Sequence, residues 1–256
     1  MKNKYFSMRN VLMAGGILLA GALFAGCNKD DDDPVDTPVA GLMAANLAPD
    51  RGAIGVALSG NALGGTPLTY TSFTGGYYPI YPGNRPVEAY DFNTGVSFTS
   101  GSFLFEPDKY YSLFVVGAND NYRNIIVNDD FETMSGTSGN AYIRYINAIP
   151  DSAASTVSVT AGGNSVINEN AAFASVSEFV EVAPGSITID VSNGSTVDAD
   201  RTITLEARKV YTVLLIGDPA STSNLVEIRY IENGTLDEED APEGRTSTSA
   251  KSAISK

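Results

Sequence analysis

The chain has 256 residues, 43% of them hydrophobic, and carries 30 Asp and Glu against 16 Lys and Arg, a formal net charge of −14. It has no histidine and one cysteine, which excludes imidazole-based zinc sites, Ser-His-Asp and Cys-His nucleophiles and any internal disulfide. An acidic surface repels phosphate backbones, so no nucleic-acid partner is expected, and the length allows one large domain or two ordinary ones.

The first element reads as a leader. Lys2, Lys4 and Arg9 precede an apolar run from Val11 to Phe24. That run is shorter than the roughly 20 residues a membrane helix needs and matches a signal-peptide core. Ala25 and Gly26 then lead into Cys27. The stretch Leu23-Phe24-Ala25-Gly26-Cys27 resembles the lipobox of bacterial lipoproteins, whose cysteine is acylated and becomes the mature N terminus. It departs from the usual pattern in having its leucine four residues before the cysteine and Phe24 three before. The resemblance implies a signal peptide over 1–26 and a membrane anchor on Cys27, where two or three acyl chains hold stably. The alternative is an ordinary signal peptide ending at a chance cysteine, although an unpaired exposed thiol in an exported protein is a liability.

Residues 27–40 form an acidic tether. Asp30, Asp31, Asp32 and Asp33 repel one another and cannot pack, and Pro34 and Pro38 stiffen the segment up to Ala40. Lys29 with Asp30–Asp33 resembles the signal that sends Bacteroidota lipoproteins to the outer face of the outer membrane; a plain charged spacer is the alternative. The expected location is the outer membrane, lipid-anchored and at the cell surface, with its periplasmic face as the other placement.

Beyond the tether the chain repeats itself. Asn46-Leu47-Ala48-Pro49-Asp50 recurs as Asn147-Ala148-Ile149-Pro150-Asp151, Tyr81-Pro82-Gly83 as Ala183-Pro184-Gly185, and Lys109–Gly117 as Lys209–Gly217. A period of about 100 residues is a domain and no solenoid unit. The first copy covers 41–131 and the second 140–233, joined by a small, polar linker over 132–139. Strand signals dominate both. In the second copy, strands are expected at Ala141–Asn147, Thr156–Thr160, Ser177–Val182, Ser186–Val191, Arg201–Leu205, Val210–Ile216 and Leu225–Ile231, with a hairpin at Gly162-Gly163. Alternation puts Ile187, Ile189 and Val191 on one inward face, and Val157 and Val159 on another. The fold class is all-β, two tandem antiparallel β-sandwiches. The polar stretch 234–256 is expected to be a disordered tail.

The Asn-x-x-Pro-Asp opening, the Pro-Gly turn and the Lys-x-Tyr-[ST] strand ending in Gly resemble domain-of-unknown-function family 4397. That resemblance covers about 41–233 and implies an Ig-like or transthyretin-like sandwich of the kind found, often in tandem, in bacterial exported proteins and lipoproteins. It carries over no catalytic residue and no cofactor.

Candidate binding chemistry is sparse. Tyr70, Phe73, Tyr77, Tyr78 and Tyr81, flanked by glycines, could stack on sugars or simply fill the sandwich. Asn119-Asp120-Asn121 and Asp129-Asp130 are oxygen-rich, as calcium ligands must be, but turn chemistry accounts for them, as it does for Asp198 and Asp200. Asp50 and Asp151 are expected to hydrogen-bond backbone in their own turns. No metal and no cofactor are expected. The expected function is non-catalytic binding or scaffolding at the envelope, with an envelope protein or glycan as partner. A glycan or matrix adhesin using the tyrosine-rich stretch, and more remotely a carboxylate-based hydrolase, are the alternatives.

Overall fold

In the computed structural model, residues 37–150 and 153–237 are described; Cys27, Lys29–Asp33 and Asp151 lie outside them. All the described residues except Thr37 belong to one compact unit. The first repeat contains β1 (Ala40–Asn46), β2 (Ile54–Leu58), β3 (Asn61–Ala62), β4 (Tyr78–Ile80), β5 (Gly83–Asp91), β6 (Ser97–Phe105), β7 (Tyr110–Ala118) and β8 (Asn121–Asn128). The second contains β9 (Ala141–Asn147), β10 (Ser155–Ala161), β11 (Asn164–Ala171), β12 (Val180–Val182), β13 (Gly185–Ser192), β14 (Asp198–Leu205), β15 (Lys209–Ile216) and β16 (Glu227–Thr235).

The two repeats correspond strand for strand. Each is a sandwich of two four-stranded sheets. In the first repeat the orders are β4-β1-β7-β8 and β3-β2-β5-β6, and in the second β12-β9-β15-β16 and β11-β10-β13-β14. Neighbours are antiparallel except for one parallel pair per repeat, β1 with β7 and β9 with β15. The expected inward residues meet in the second core: Val157 and Val159 of β10 with Ile187, Ile189 and Val191 of β13. Their polar neighbours face water, as alternation requires.

The strands β1, β7, β9 and β15 behave differently, being buried along almost their whole length. Their inward residues fill the two sandwich cores. Their outward residues fill a third core, where Met43, Ala45, Phe114 and Val116 of the first repeat meet Ile146, Leu214 and Ile216 of the second. The molecule is therefore four sheets deep, with the two middle sheets covered on both faces. This is why Tyr110–Val116 and Val210–Ile216 read as continuous apolar runs.

The linker is packed as well. A short 3-10 turn at Phe131–Thr133 places Phe131 beside Tyr142, Val210 and Leu236, and Ser135 N–H donates to the Tyr142 hydroxyl at 3.1 Å. The C-terminal boundary differs from the expectation. Gly234 and Thr235 extend β16 and Leu236 is buried, because its apolar side chain closes this small cluster while its N–H bonds Arg208 O. Asp198–Asp200 likewise lie in a strand, opposite Asp190–Ser192, and not in a turn. Turn chemistry does account for Asn119 and Asp120, whose φ values of 53° and 64° suit a two-residue hairpin loop of the primed kind.

Gly117 and Gly217 occupy equivalent positions at the ends of the two middle strands, with φ of 111° and 114°. A Cβ would lie 2.0 Å from Asn121 O in the first and 2.4 Å from Leu225 O in the second. Gly117→Ala is therefore expected to cost more than about 1 kcal/mol in urea unfolding, whereas Gly101→Ala, which meets nothing within 4 Å, should stay within about 0.5 kcal/mol of wild type.

Candidate functional site

The face between the repeats has an apolar centre; single hydrogen bonds cross it from Asn224 Nδ2 to Pro49 O at 2.8 Å and from Arg229 Nη1 to Thr71 Oγ1 at 3.0 Å, and at one end six polar side chains form a closed circuit. Three come from the first repeat (Tyr77, Ser112, Asp129) and three from the second (Arg144, Thr212, Asn233). The position of each is set by the middle sheets: Ser112 and Thr212 are the polar exceptions in β7 and β15, Arg144 projects from β9, and Asp129 and Asn233 lie at the ends of the strands beside them.

Arg144 Nη2 donates to Asp129 Oδ1 at 2.5 Å and to Ser112 Oγ at 3.0 Å. Its Nε donates to Thr212 Oγ1 at 3.1 Å. Thr212 in turn donates to Asn233 Oδ1 at 2.7 Å, and Asn233 Nδ2 to the Tyr77 hydroxyl at 3.0 Å. Tyr77 closes the loop by donating to Asp129 Oδ2, which also accepts from Ser112 Oγ. Asp129 is fully buried and Arg144 only 2% exposed. The Arg144 guanidinium also lies 4.3 Å from the Phe179 ring centroid, adding a cation–π contact. Burial and then the Asp129 carboxylate hold the Tyr77 hydroxyl well above its ordinary pKa of 10.0, so it stays a donor at neutral pH.

A cleft of about 210 Å³ opens onto this circuit, lined among others by Asn128, Asp130, Thr133, Tyr142, Arg144 and Phe179. Of the circuit, Asp129 and Arg144 line the cleft, and the whole circuit behind them is chemically committed. The arginine and aspartate neutralise each other, the tyrosine is locked protonated, and both hydroxyls both give and receive hydrogen bonds. What the cleft offers a ligand is hydrogen bonding at its rim. A shallower groove of about 520 Å³ lies at the opposite end of the first repeat, around Arg51, Asp91, Phe98, Asp120 and Tyr122. There Arg51 sits 4.6 Å from the Phe98 and 4.4 Å from the Tyr122 ring centroids.

The aromatic stretch divides. Tyr70, Phe73 and Tyr77 pack against the inter-repeat core, while Tyr78 and Tyr81 are exposed, at 41% and 65%. Asp129 lies in the connection between β8 and the 3-10 turn, but its carboxylate turns inward across the seam. It is withdrawn from solvent and paired with Arg144, a role that the sequence signalled only as an acid next to another acid. Asp50 also differs from the expectation: its Oδ2 accepts from Asn119 N–H and the Tyr122 hydroxyl, tying the β7–β8 hairpin to the first loop. The turn itself is held by Asn46, whose Oδ1 accepts from Ala48 N–H and whose Nδ2 donates to Arg51 O and Leu68 O. Asn147 repeats this with Ile149 N–H and Ala171 O. A buried amide satisfies the backbone there better than an aspartate, because it can donate as well as accept. Among the described residues, no group of three acidic or cysteine side chains is placed to hold a metal ion.

Two β-sandwiches built on one plan and fused through their middle sheets define a tandem-sandwich protein. The chain belongs to the family described as domain of unknown function (DUF4397), whose model matches residues 40–154 and again residues 141–238. No curated protein matches the chain.

Removing Asp129 leaves Arg144 buried without its counter-charge, so Asp129→Ala should lower the unfolding free energy by about 3–5 kcal/mol in urea titrations. The tyrosines govern the alkaline side. Tyr77 is held above its ordinary value, and burial followed by the Glu227 charge pushes Tyr70 up to about 12. These groups ionise in the unfolded chain near pH 10 but later in the folded one, so their contribution is intact below pH 10 and lost as the pH rises through the folded values. Unfolding free energy should therefore stay level through pH 9 and fall above pH 10, about where unfolded tyrosines ionise. Tyr77→Phe should flatten part of that decline while costing about 1–3 kcal/mol at neutral pH.

Proposed function

We propose that the chain is a non-catalytic binding or scaffolding module of the bacterial outer membrane, held by acyl chains on Cys27 and spaced from the bilayer by the tether 27–40. The observation that carries this reading is the closed circuit at the seam. The fully buried ion pair and the polar groups around it are spent on holding two sandwiches as one body, which is what a spacer or docking platform needs. The path of the chain agrees with a tether. The chain enters the body beside the start of β7, where Val39 O accepts from Asp108 N–H, and leaves it beside the start of β15, where Leu236 N–H donates to Arg208 O. Both points lie at the end where β1, β7, β9 and β15 begin. The loops that carry Asp50 and Asn119–Asp120 lie at the other end, where these three residues are exposed. The lipobox and the acidic run after it support the anchor and the outer membrane.

Fractionation of cells tests the anchor. Wild type is expected in the outer-membrane fraction and Cys27→Ser in the soluble fraction; a Cys27→Ser protein that still sediments with membranes removes the lipid anchor from this reading. In the same cells, cross-linking should trap a partner on the end of the body that carries Asp50 and Asn119–Asp120.

A further inference from the structure

The circuit at the seam is asymmetric in its buried charges. Register fixes which positions correspond. Arg144 and Met43 each stand three residues before the asparagine of their repeat's opening motif. Ser112 and Thr212 follow the equivalent Tyr111 and Tyr211. Asn128 pairs with Tyr111 and Glu232 with Tyr211, so Asp129 and Asn233 are counterparts. Tyr78 opposes Leu42 and Val180 opposes Ile143, which makes Tyr77 the counterpart of Phe179. The base thus stands only on the second repeat and the acid only on the first, while the mirror positions hold Met43 and Asn233, both buried.

We infer that Asp129 and Arg144 act as a pairing code: the seam of each repeat accepts an unlike repeat and rejects a like one. The apolar part of the face does not discriminate. Met43, Ala45, Phe114 and Val116 on one side and Ile146, Leu214 and Ile216 on the other would pack against their own kind about as well. The charges do discriminate. Two second-repeat faces would bury two guanidinium groups with no carboxylate, and two first-repeat faces would bury two carboxylates with no base. Each arrangement leaves buried charge uncompensated, which costs far more than a complementary pair gains. The partner that fits either seam is a sandwich carrying the opposite charge at the corresponding position, and in this chain that is the other repeat. The ion pair therefore acts across the seam as a selector, beyond whatever it adds to stability.

Because the seam is pseudo-symmetric, the code can be moved or misplaced without changing the number of buried charges. In the full chain in mild detergent, the variant Met43→Arg/Asn233→Asp/Asp129→Asn/Arg144→Met carries the pair on the mirror diagonal, still across the seam. The variant Asp129→Asn/Asn233→Asp keeps one acid and one base but puts both on the second repeat, where Thr212 already bridges Arg144 to position 233. Limited proteolysis within 132–139 reads seam opening. The moved pair should resist like wild type and unfold in a single thermal transition. The misplaced pair should be cut about tenfold faster and unfold in two steps. Should the four-fold variant fail to fold, Arg144→Met alone is compared with Asp129→Asn/Arg144→Met: the single change should open the seam more than the double, which leaves no buried charge. A misplaced pair as resistant and cooperative as wild type, or equal cleavage of the single and double variants, overturns the inference.

Discussion

A buried arginine and a buried aspartate meet across the seam, and the rest of the molecule is arranged so that they can. Withdrawing each ion from water carries a penalty of several kcal/mol even after relaxation. That penalty is recovered only if every remaining donor and acceptor is satisfied. Here the satisfaction is circular: Arg144 needs Asp129, Ser112 and Thr212, Asp129 needs Tyr77, and Tyr77 and Thr212 are joined through Asn233. The circuit therefore fixes the relative placement of β7, β9 and β15, the ends of β8 and β16, and the segment leading into β4. Sliding one middle sheet past the other by one residue would break several of these bonds together, whereas apolar contacts alone would tolerate small slips.

Much of the architecture could be read from residue patterns. The alternation of Ile187, Ile189 and Val191 named one core, the Gly162-Gly163 pair named a hairpin, and the recurrence of Lys109–Gly117 at Lys209–Gly217 named the duplication. Strand chemistry is local, and local chemistry leaves a period in the sequence. The seam left almost no such trace. Arg144 sits in the run Ala141–Asn147, where a single charge among apolar residues looks like an ordinary outward-facing side chain. Asp129 follows Asn128 and precedes Asp130, which looks like a loop. Their partnership depends on two sheets stacking face to face, and no spacing within one strand encodes that. The one available hint was the nearly continuous apolar character of β7 and β15, interrupted chiefly by Ser112 and Thr212 and too continuous for a strand with a wet face.

The tyrosine-rich stretch teaches a related lesson. A run of aromatics and glycines denser than the matching stretch of the other copy invites a ligand reading. In the fold, Tyr70, Phe73 and Tyr77 serve the joint between the repeats, and the second copy answers with Phe173, Phe179 and Val176 in the same region. The two faces correspond position by position yet are complementary, and the residues that differ most between them need not be those that touch a ligand. The opening motif shows the converse: Asn46 and Asn147 have kept the same job of tying down a turn, because the backbone they satisfy is the same in both copies.

The parallel pairing of β1 with β7 sets an order of events during synthesis. Strand β1 is central in its sheet, yet its partner from Tyr110 onward is made roughly seventy residues later, so the first sandwich assembles through contacts distant in sequence, the kind that form slowly. Even when complete it carries Asp129 on an open face until Arg144 emerges, and the circuit closes only when Asn233 has been made. A nascent chain thus spends its early life with one sticky apolar sheet and an unanswered charge. Two such halves meeting face to face would bury two carboxylates without a base, so the residue that later locks the joint also makes like-with-like contact costly.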